Sequence, residues 1–156
     1  MFLGASVRVM IGSLVLAVCV VSASGQRPGD IVKWTAHLRS QTAAAATVDL
    51  VADIQLGWHV YALSQPRGGP TPLVVSIPES EAFALNGPVH EPTPVRHFDS
   101  SFKMETVFYL NHVQLVASIN KVKVGPAISI PVNVRFQACN GNLCLPPQTV
   151  HLSAEP

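Results

Sequence analysis

The sequence predicts an all-β protein folded as an antiparallel sandwich of about seven to nine strands. Apolar and polar residues alternate with a period of two in several long segments, which is the pattern of half-buried strands. Thirteen prolines interrupt most windows that are long enough for a helix. Gly, Pro and Asn residues separate the strand-length segments and predict turns between them. A length of 156 residues suits one domain.

The N-terminal segment has the layout of a secretory signal peptide. Arg8 is its single positive charge, residues 9–21 form an uninterrupted apolar run, and residues 22–25 are small. The run is shorter than the stretch of about 20 apolar residues that a membrane anchor needs. The segment therefore predicts export followed by cleavage.

This layout predicts the organisation of the whole chain. We expect a signal peptide over residues 1–25, a linker over residues 26–31, and one β-sandwich domain over residues 32–156. A lipoprotein anchored at Cys19 is the disfavoured alternative, because bulky Val18 stands where lipid attachment requires a small residue.

Composition limits the function of the exported domain. Removing Arg8 leaves nine basic and nine acidic residues, so the domain is formally neutral and nucleic-acid binding is disfavoured. No second apolar stretch reaches membrane-spanning length, so we expect a periplasmic domain that does not span the membrane. Cys139 and Cys144 remain after cleavage, and an isolated pair in an oxidising compartment is expected to form one disulfide.

Four segments carry the alternation that predicts strands, and each places its apolar side chains on one face. The apolar positions are Val32, Trp34, Ala36 and Leu38; Val48, Leu50, Ala52 and Ile54; Val113, Leu115, Ala117 and Ile119; and Ile128, Ile130, Val132, Val134, Phe136 and Ala138. Pro131 in the last segment marks an edge or a bulge. Trp34 and Trp58 are predicted core residues. Residues 66–72 and 86–101 are predicted long loops, where sites are usually placed.

The segment around the two cysteines is the most informative in the chain. Asn140-Gly141 predicts a tight reversal that brings Cys139 and Cys144 face to face. Continuing the alternation places Cys139 on the polar face, where a bridge would be easier to reduce. A loop this short stabilises the fold by roughly 2 kcal/mol, against about 4.7 kcal/mol for a loop of 100 residues. A stabilising disulfide and a redox-active one both remain open on these grounds.

The same segment, from Phe136 to Pro147, resembles the active-site segment of the DsbD N-terminal domain family of thiol:disulfide interchange proteins. Residues 57–63 and the loop that follows them resemble the Gly-aromatic-x-x-Tyr strand of that family. Phe102, Glu105 and Tyr109 resemble its loop-then-strand pattern. The resemblance extends from about Trp34 to Leu152 and covers nearly all of the predicted mature chain.

The resemblance implies an immunoglobulin-like antiparallel β-sandwich that relays electrons by thiol–disulfide exchange, with no cofactor. It implies that Cys144 forms mixed disulfides and that Cys139 resolves them. Phe102 would be an aromatic cap over the pair, and His59 and Tyr61 would flank the pair on a neighbouring strand. The electron donor would be a thioredoxin-like domain or a membrane thiol transporter. The acceptors would be exported oxidoreductases that serve disulfide isomerisation and cytochrome c maturation.

This sequence differs from the family pattern at several points that bear on these expectations. Ser100 and Ser101 stand where well-known members carry acidic residues, and Asp99 is the nearest acid. His59 replaces an aromatic residue that often lies beside the flanking tyrosine. We find no membrane domain and no thioredoxin-like domain in this sequence, so the donor is expected to act in trans.

Two other readings compete with the redox relay. One is a structural or partner-binding β-sandwich with an inert disulfide. The other is a metal site built from Cys139, Cys144 and a loop histidine such as His97, which would require both thiols to be reduced. Because residues 140–143 supply no cation and no helix N-terminus, we also expect slow intrinsic reactivity of the thiols.

Overall fold

The computed structural model of the protein describes residues 27–78, 82–122 and 129–156. The predicted signal peptide over residues 1–25, Cys19 and the inward position assigned to Ile128 lie outside these ranges. Within them, no helix is long and apolar enough to cross a membrane.

The described residues form one helical turn and eleven strands. The elements are α1 (Pro28–Ile31), β1 (Val32–Gln41), β2 (Ala45–Ile54), β3 (His59–Tyr61), β4 (Val74–Ser76), β5 (Phe83–Leu85), β6 (Val95–Asp99), β7 (Met104–Leu110), β8 (His112–Lys121), β9 (Ile130–Phe136), β10 (Ala138–Cys139) and β11 (Gln148–Ala154). The turn α1 occupies part of the predicted linker and buries Ile31 in the core.

The strands form three antiparallel sheets with the orders β1-β2-β8-β5, β10-β3-β7-β6 and β11-β9-β4. The predicted all-β, antiparallel architecture is therefore confirmed. The described part of the chain has more strands than the predicted seven to nine, since several are only two or three residues long. Strands this short do not complete an alternating pattern, so periodicity cannot reveal them.

The prediction of a long loop over residues 86–101 is partly wrong. Its residues Val95–Asp99 form β6, which pairs with β7 at the edge of the second sheet. The first four residues of β6 are exposed, so this strand has no apolar alternation to detect. The loop predicted over residues 66–72 contains no strand, as expected.

The four alternating segments build one main core, as their patterns predict. Trp34 and Trp58 are both buried in it, and the ring of Trp34 packs on Phe136 with 5.9 Å between ring centroids. Pro131 faces Ser153 of β11, whereas β4 on the other side of β9 pairs only with residues 133–135. Proline has no backbone N–H to donate, and at the position of Pro131 this lack interrupts no hydrogen bond between β9 and β4.

The second sheet is the one that positions the cysteines, and its two faces differ. Val60, Tyr109 and Ala138 point from one face into the main core. Tyr61, Phe108 and Cys139 form a second, smaller cluster, which lies on the other face because neighbouring strand residues point in opposite directions. We call this group the cysteine cluster.

Candidate functional site

The disulfide joins Cys139, the last residue of β10, to Cys144, and their Cα atoms are 4.1 Å apart. The reversal between them depends on Asn140. Its backbone N–H donates to the Leu143 carbonyl at 2.9 Å, and its side-chain Oδ1 accepts from the N–H groups of Asn142 at 2.9 Å and Leu143 at 2.8 Å. Gly141 does not adopt a positive φ. The asparagine side chain therefore closes this predicted turn without a left-handed glycine.

The predicted solvent-side position of Cys139 is wrong. Cys139 does point away from the main core, opposite to Ala138, as the alternation indicates. However, it is 0% exposed, because the other members of the cysteine cluster and Phe102 pack around it; Cys144 is half-buried. Residues that are distant in sequence provide the cover, so the period of one strand could not reveal it.

The structure brings together all five residues that the resemblance singled out. His59 lies directly opposite Cys139 in the pairing of β3 with β10. Phe102 and Cys144 pack against the cysteine cluster, and Phe102 meets the ring of Tyr61 edge-on at 5.8 Å between centroids. The His59 ring lies 5.0 Å from that of Tyr61 and 4.5 Å from that of Phe108. The disulfide is thus surrounded by aromatic and imidazole rings.

Asp99, at the end of β6, organises this group, a role that is not predicted from the sequence. Its Oδ2 accepts a hydrogen bond from the Tyr61 hydroxyl at 2.6 Å. Its Oδ1 accepts from the backbone N–H groups of Ser101 at 2.8 Å and Phe102 at 3.3 Å. One carboxylate therefore ties the segment that carries Phe102 to the strand beside the disulfide. The available signal was an aspartate followed by Ser-Ser-Phe, a pattern typical of an Asx turn.

Burial and hydrogen bonding set the protonation states of the site. Burial, reinforced by the hydrogen bond and charge of Asp99, raises the pKa of Tyr61 far above its ordinary value. Burial alone would raise the pKa of Asp99. The hydrogen bonds that its carboxylate accepts, from Tyr61, Ser101 and Phe102, outweigh burial together with nearby His59, so this pKa is lowered. Burial lowers the pKa of His59, although the Asp99 charge partly offsets this effect. Near neutral pH the site holds a phenol, a carboxylate and an uncharged imidazole.

A cavity of about 240 Å³ adjoins the disulfide turn. Residues 97–100 line one part of it, the turn residues Asn140 and Gly141 line another, and His59 and Phe108 complete the lining. The side chain of Phe98 beside it is 58% exposed. The cavity thus lies beside the disulfide turn, while Cys139 itself stays covered.

The metal-site reading finds no support in the described ranges. Within residues 27–78, 82–122 and 129–156, no group of three or more His, Cys, Asp or Glu side chains is placed to hold a metal ion. His97 lines the cavity, but its Nδ1 lies 2.8 Å from the carbonyl oxygen of Phe98.

Comparison with protein families shows which family the chain belongs to. The family model for "Thiol:disulfide interchange protein DsbD, N-terminal" matches residues 31–156. The chain belongs to this DsbD N-terminal domain family. Membership supports a thiol–disulfide exchange module as the role of the domain. A search of curated protein sequences found no significant match.

Two solved structures share the fold. The N-terminal domain of Neisseria meningitidis DsbD in its reduced form matches with a TM-score of 0.56 and 14% identity, covering 84% of this chain and 90% of that one. The N-terminal periplasmic domain of ScsB from Proteus mirabilis matches with a TM-score of 0.62 and 17% identity, covering 83% of this chain and 49% of that one. The predicted immunoglobulin-like β-sandwich is therefore confirmed.

Proposed function

We propose that this domain relays electrons in the periplasm through Cys139 and Cys144, from a thioredoxin-like donor or membrane thiol transporter to exported oxidoreductases. One observation carries the proposal. The disulfide lies in a cluster of its own, on the face of the second sheet opposite the main core, under a segment tied down by one carboxylate. A bridge in this position can open without disrupting the packing between the sheets.

The burial of the two cysteines suggests which of them a partner attacks. Cys144 is half-buried, whereas Cys139 is 0% exposed. A donor thiolate attacks the Cys144 sulfur, the bond between Cys144 and Cys139 breaks, and the electron pair and then a proton go to Cys139. A second donor thiol resolves the mixed disulfide, leaving the donor oxidised and the pair reduced by two electrons.

Delivery to the acceptor reverses these steps. The Cys144 thiolate attacks an acceptor disulfide and one acceptor sulfur leaves as a thiolate. Cys139 then displaces Cys144 from the mixed disulfide, so the pair is oxidised and the acceptor is reduced by two electrons. Burial of Cys139 disfavours a free thiolate there, which keeps this sulfur as the resolving partner rather than the first nucleophile.

Phe102 is the proposed cap. Its ring packs edge-on against Tyr61 and lies against the cysteine cluster, and its backbone N–H is held by Asp99. A partner must displace this side chain before its sulfur reaches Cys144. We therefore expect slow reaction with small reagents and faster exchange with a protein that docks on this surface.

Trapping of the mixed disulfide tests the relay. A reduced Cys139→Ser variant is mixed with a thioredoxin-like protein that retains only its first motif cysteine, activated as a thionitrobenzoate disulfide. We expect a covalent complex through Cys144, visible by mass spectrometry, and release of thionitrobenzoate. The matched Cys144→Ser variant should couple much more slowly, because its remaining thiol is buried. Equal coupling by both variants, or coupling by neither, would sink the assigned roles.

A structural or partner-binding sandwich with an inert disulfide is the second candidate, and the full burial of Cys139 favours it. The reduction potential of the pair separates the two functions. Stable structural disulfides lie below about −300 mV, whereas relay pairs are more oxidising. Equilibration with glutathione or dithiothreitol buffers measures this value. A potential below about −300 mV contradicts the relay and supports the structural role.

A further inference from the structure

The imidazole of His59 makes a contact that the proposed exchange does not use. Its Nε2 lies 3.9 Å from Oδ2 of Asp99, which is too far for a hydrogen bond. The same nitrogen is buried and has no hydrogen-bond partner. Buried polar atoms normally have a hydrogen-bond partner, so the Nε2 atom of His59 needs a physical explanation.

The carboxylate that His59 faces already holds the proposed cap. Asp99 accepts hydrogen bonds from the Tyr61 hydroxyl and from the N–H groups of Ser101 and Phe102. A charged donor that approached this carboxylate would compete with the two backbone groups for its negative charge. The His59 ring is the titratable group in position to become such a donor.

Resting on the proposed function, we infer that His59 is a positioning residue that loosens the Phe102 segment when its ring takes up a proton. An imidazolium makes charge-assisted hydrogen bonds to carboxylates at about 2.7–2.9 Å, so a movement of about 1 Å would close the present gap. The Asp99 carboxylate would then be drawn toward the ring and would hold the N–H groups of Ser101 and Phe102 less firmly.

The direction of the pH effect follows from where the proton binds more tightly. In the closed arrangement burial lowers the pKa of His59, with partial compensation by the Asp99 charge. Opening would admit water to the ring and would remove two N–H donors from Asp99, and both changes raise the affinity of His59 for a proton. Acid therefore favours the open arrangement, since the state that binds protons more tightly gains population as pH falls.

The size of this pH effect depends on the difference between the pKa of His59 in the open arrangement and its pKa in the closed one. The ratio of open to closed protein begins to rise as pH falls below the pKa of His59 in the open arrangement, and it levels off below the lower pKa of the closed arrangement. Each unit of difference raises the ratio of open to closed protein about tenfold.

The other groups that face this site do not produce the same response. Tyr61, on the strand of His59, stays protonated because its pKa is raised far above the ordinary value. From β10, Cys139 is held in the disulfide, and from β7 the contact is the ring of Phe108. His97 of β6 shares the cavity but is exposed, so it supplies a matched control histidine.

The experiment measures reduction of the disulfide by an uncharged phosphine from about pH 8 to about pH 5, a range that brackets histidine titration. Each rate is divided by that of Phe102→Ala at the same pH, which cancels the titration of the reagent. We expect the wild-type ratio to rise severalfold toward one as pH falls below about 6.5. His59→Gln should give a flat ratio, and His97→Gln should keep the rise.

A flat wild-type ratio, or the same rise in His59→Gln, would overturn the inference. A second measurement does not need the His59 variant to fold. The imidazole pKa of His59, followed by NMR, should be higher in Phe102→Ala than in the wild type, and an equal or lower value would also overturn it. If the mixed-disulfide trap fails while the wild-type rate ratio still rises at low pH, only the relay is contradicted. The two failures are therefore distinguishable.

Discussion

The two faces of one small sheet differ in what they pack against. Val60, Tyr109 and Ala138 pack on one face into a core shared by all three sheets, whereas Tyr61 and Cys139 on the other face belong to the cysteine cluster. Each face also ties a tyrosine hydroxyl to a carboxylate: Tyr109 donates to Glu91 and Tyr61 donates to Asp99.

The difference lies in what covers each face. The core face is covered by long strands of other sheets, so it can open only if the domain unfolds. The cysteine face is covered by one short segment, whose N–H groups at Ser101 and Phe102 depend on Asp99. Regions with few buried contacts open locally at lower free energy than the core does. Mutations on the two faces should therefore separate loss of stability from gain of reactivity.

The largest effect on stability is expected from the main core. Leu115 in β8 is 0% exposed, so Leu115→Ala removes buried apolar atoms and leaves a cavity. The free energy of unfolding should fall by about 2–5 kcal/mol in chemical denaturation. The native rate of disulfide reduction should change little. A loss below about 1 kcal/mol would show that the core relaxes into the space.

A smaller loss is expected from Asp99→Asn. Hydrogen bonds to a charged group contribute about 1.5–3 kcal/mol, and the variant weakens those from Tyr61, Ser101 and Phe102. Reduction of the disulfide by a phosphine should become faster because the Phe102 segment is held less firmly. Asp53→Asn is the control, since this exposed carboxylate pairs with exposed His112 on the protein surface. A variant as slow to react as the wild type would contradict the role of Asp99.

The same carboxylate should make stability depend on acid. The pKa of Asp99 is lowered in the fold, so its stabilisation is fully present above the unfolded value of about 3.9. It is lost as pH falls from that value through the folded one. The stability difference between wild type and Asp99→Asn, measured by denaturation at several pH values, should therefore shrink below about pH 4. A difference that stays constant would argue against the lowered pKa.

The smallest effect on stability is expected from Phe102→Ala. Phe102 is only partly buried, so unfolding should become easier by about 1 kcal/mol or less. Its effect on reactivity should be much larger, with faster reaction of the pair with small thiol reagents. Phe98→Ala is the matched control, because Phe98 is 58% exposed beside the cavity. An unchanged rate in Phe102→Ala would remove the cap assignment.

Long-period patterns made most of the fold predictable. The alternating segments that became β1, β2, β8 and β9 were predicted with their inward faces, because each strand repeats its pattern over seven to ten residues. β6 was missed because an exposed edge strand has no apolar face. The cysteine turn was predicted from Asn-Gly, although the Asn140 side chain closes it.

The sequence by itself determined the all-β class, the main core and the two cysteines of the candidate site, since these depend on local period and on residue identity. The tertiary structure alone decided that Cys139 is buried, that Asp99 holds both Tyr61 and the Phe102 segment, and that His59 faces the same carboxylate. The physical reason is that these contacts join β3, β6 and β10, which are far apart in sequence. Only the pairing of strands across the second sheet brings those side chains within reach of one another.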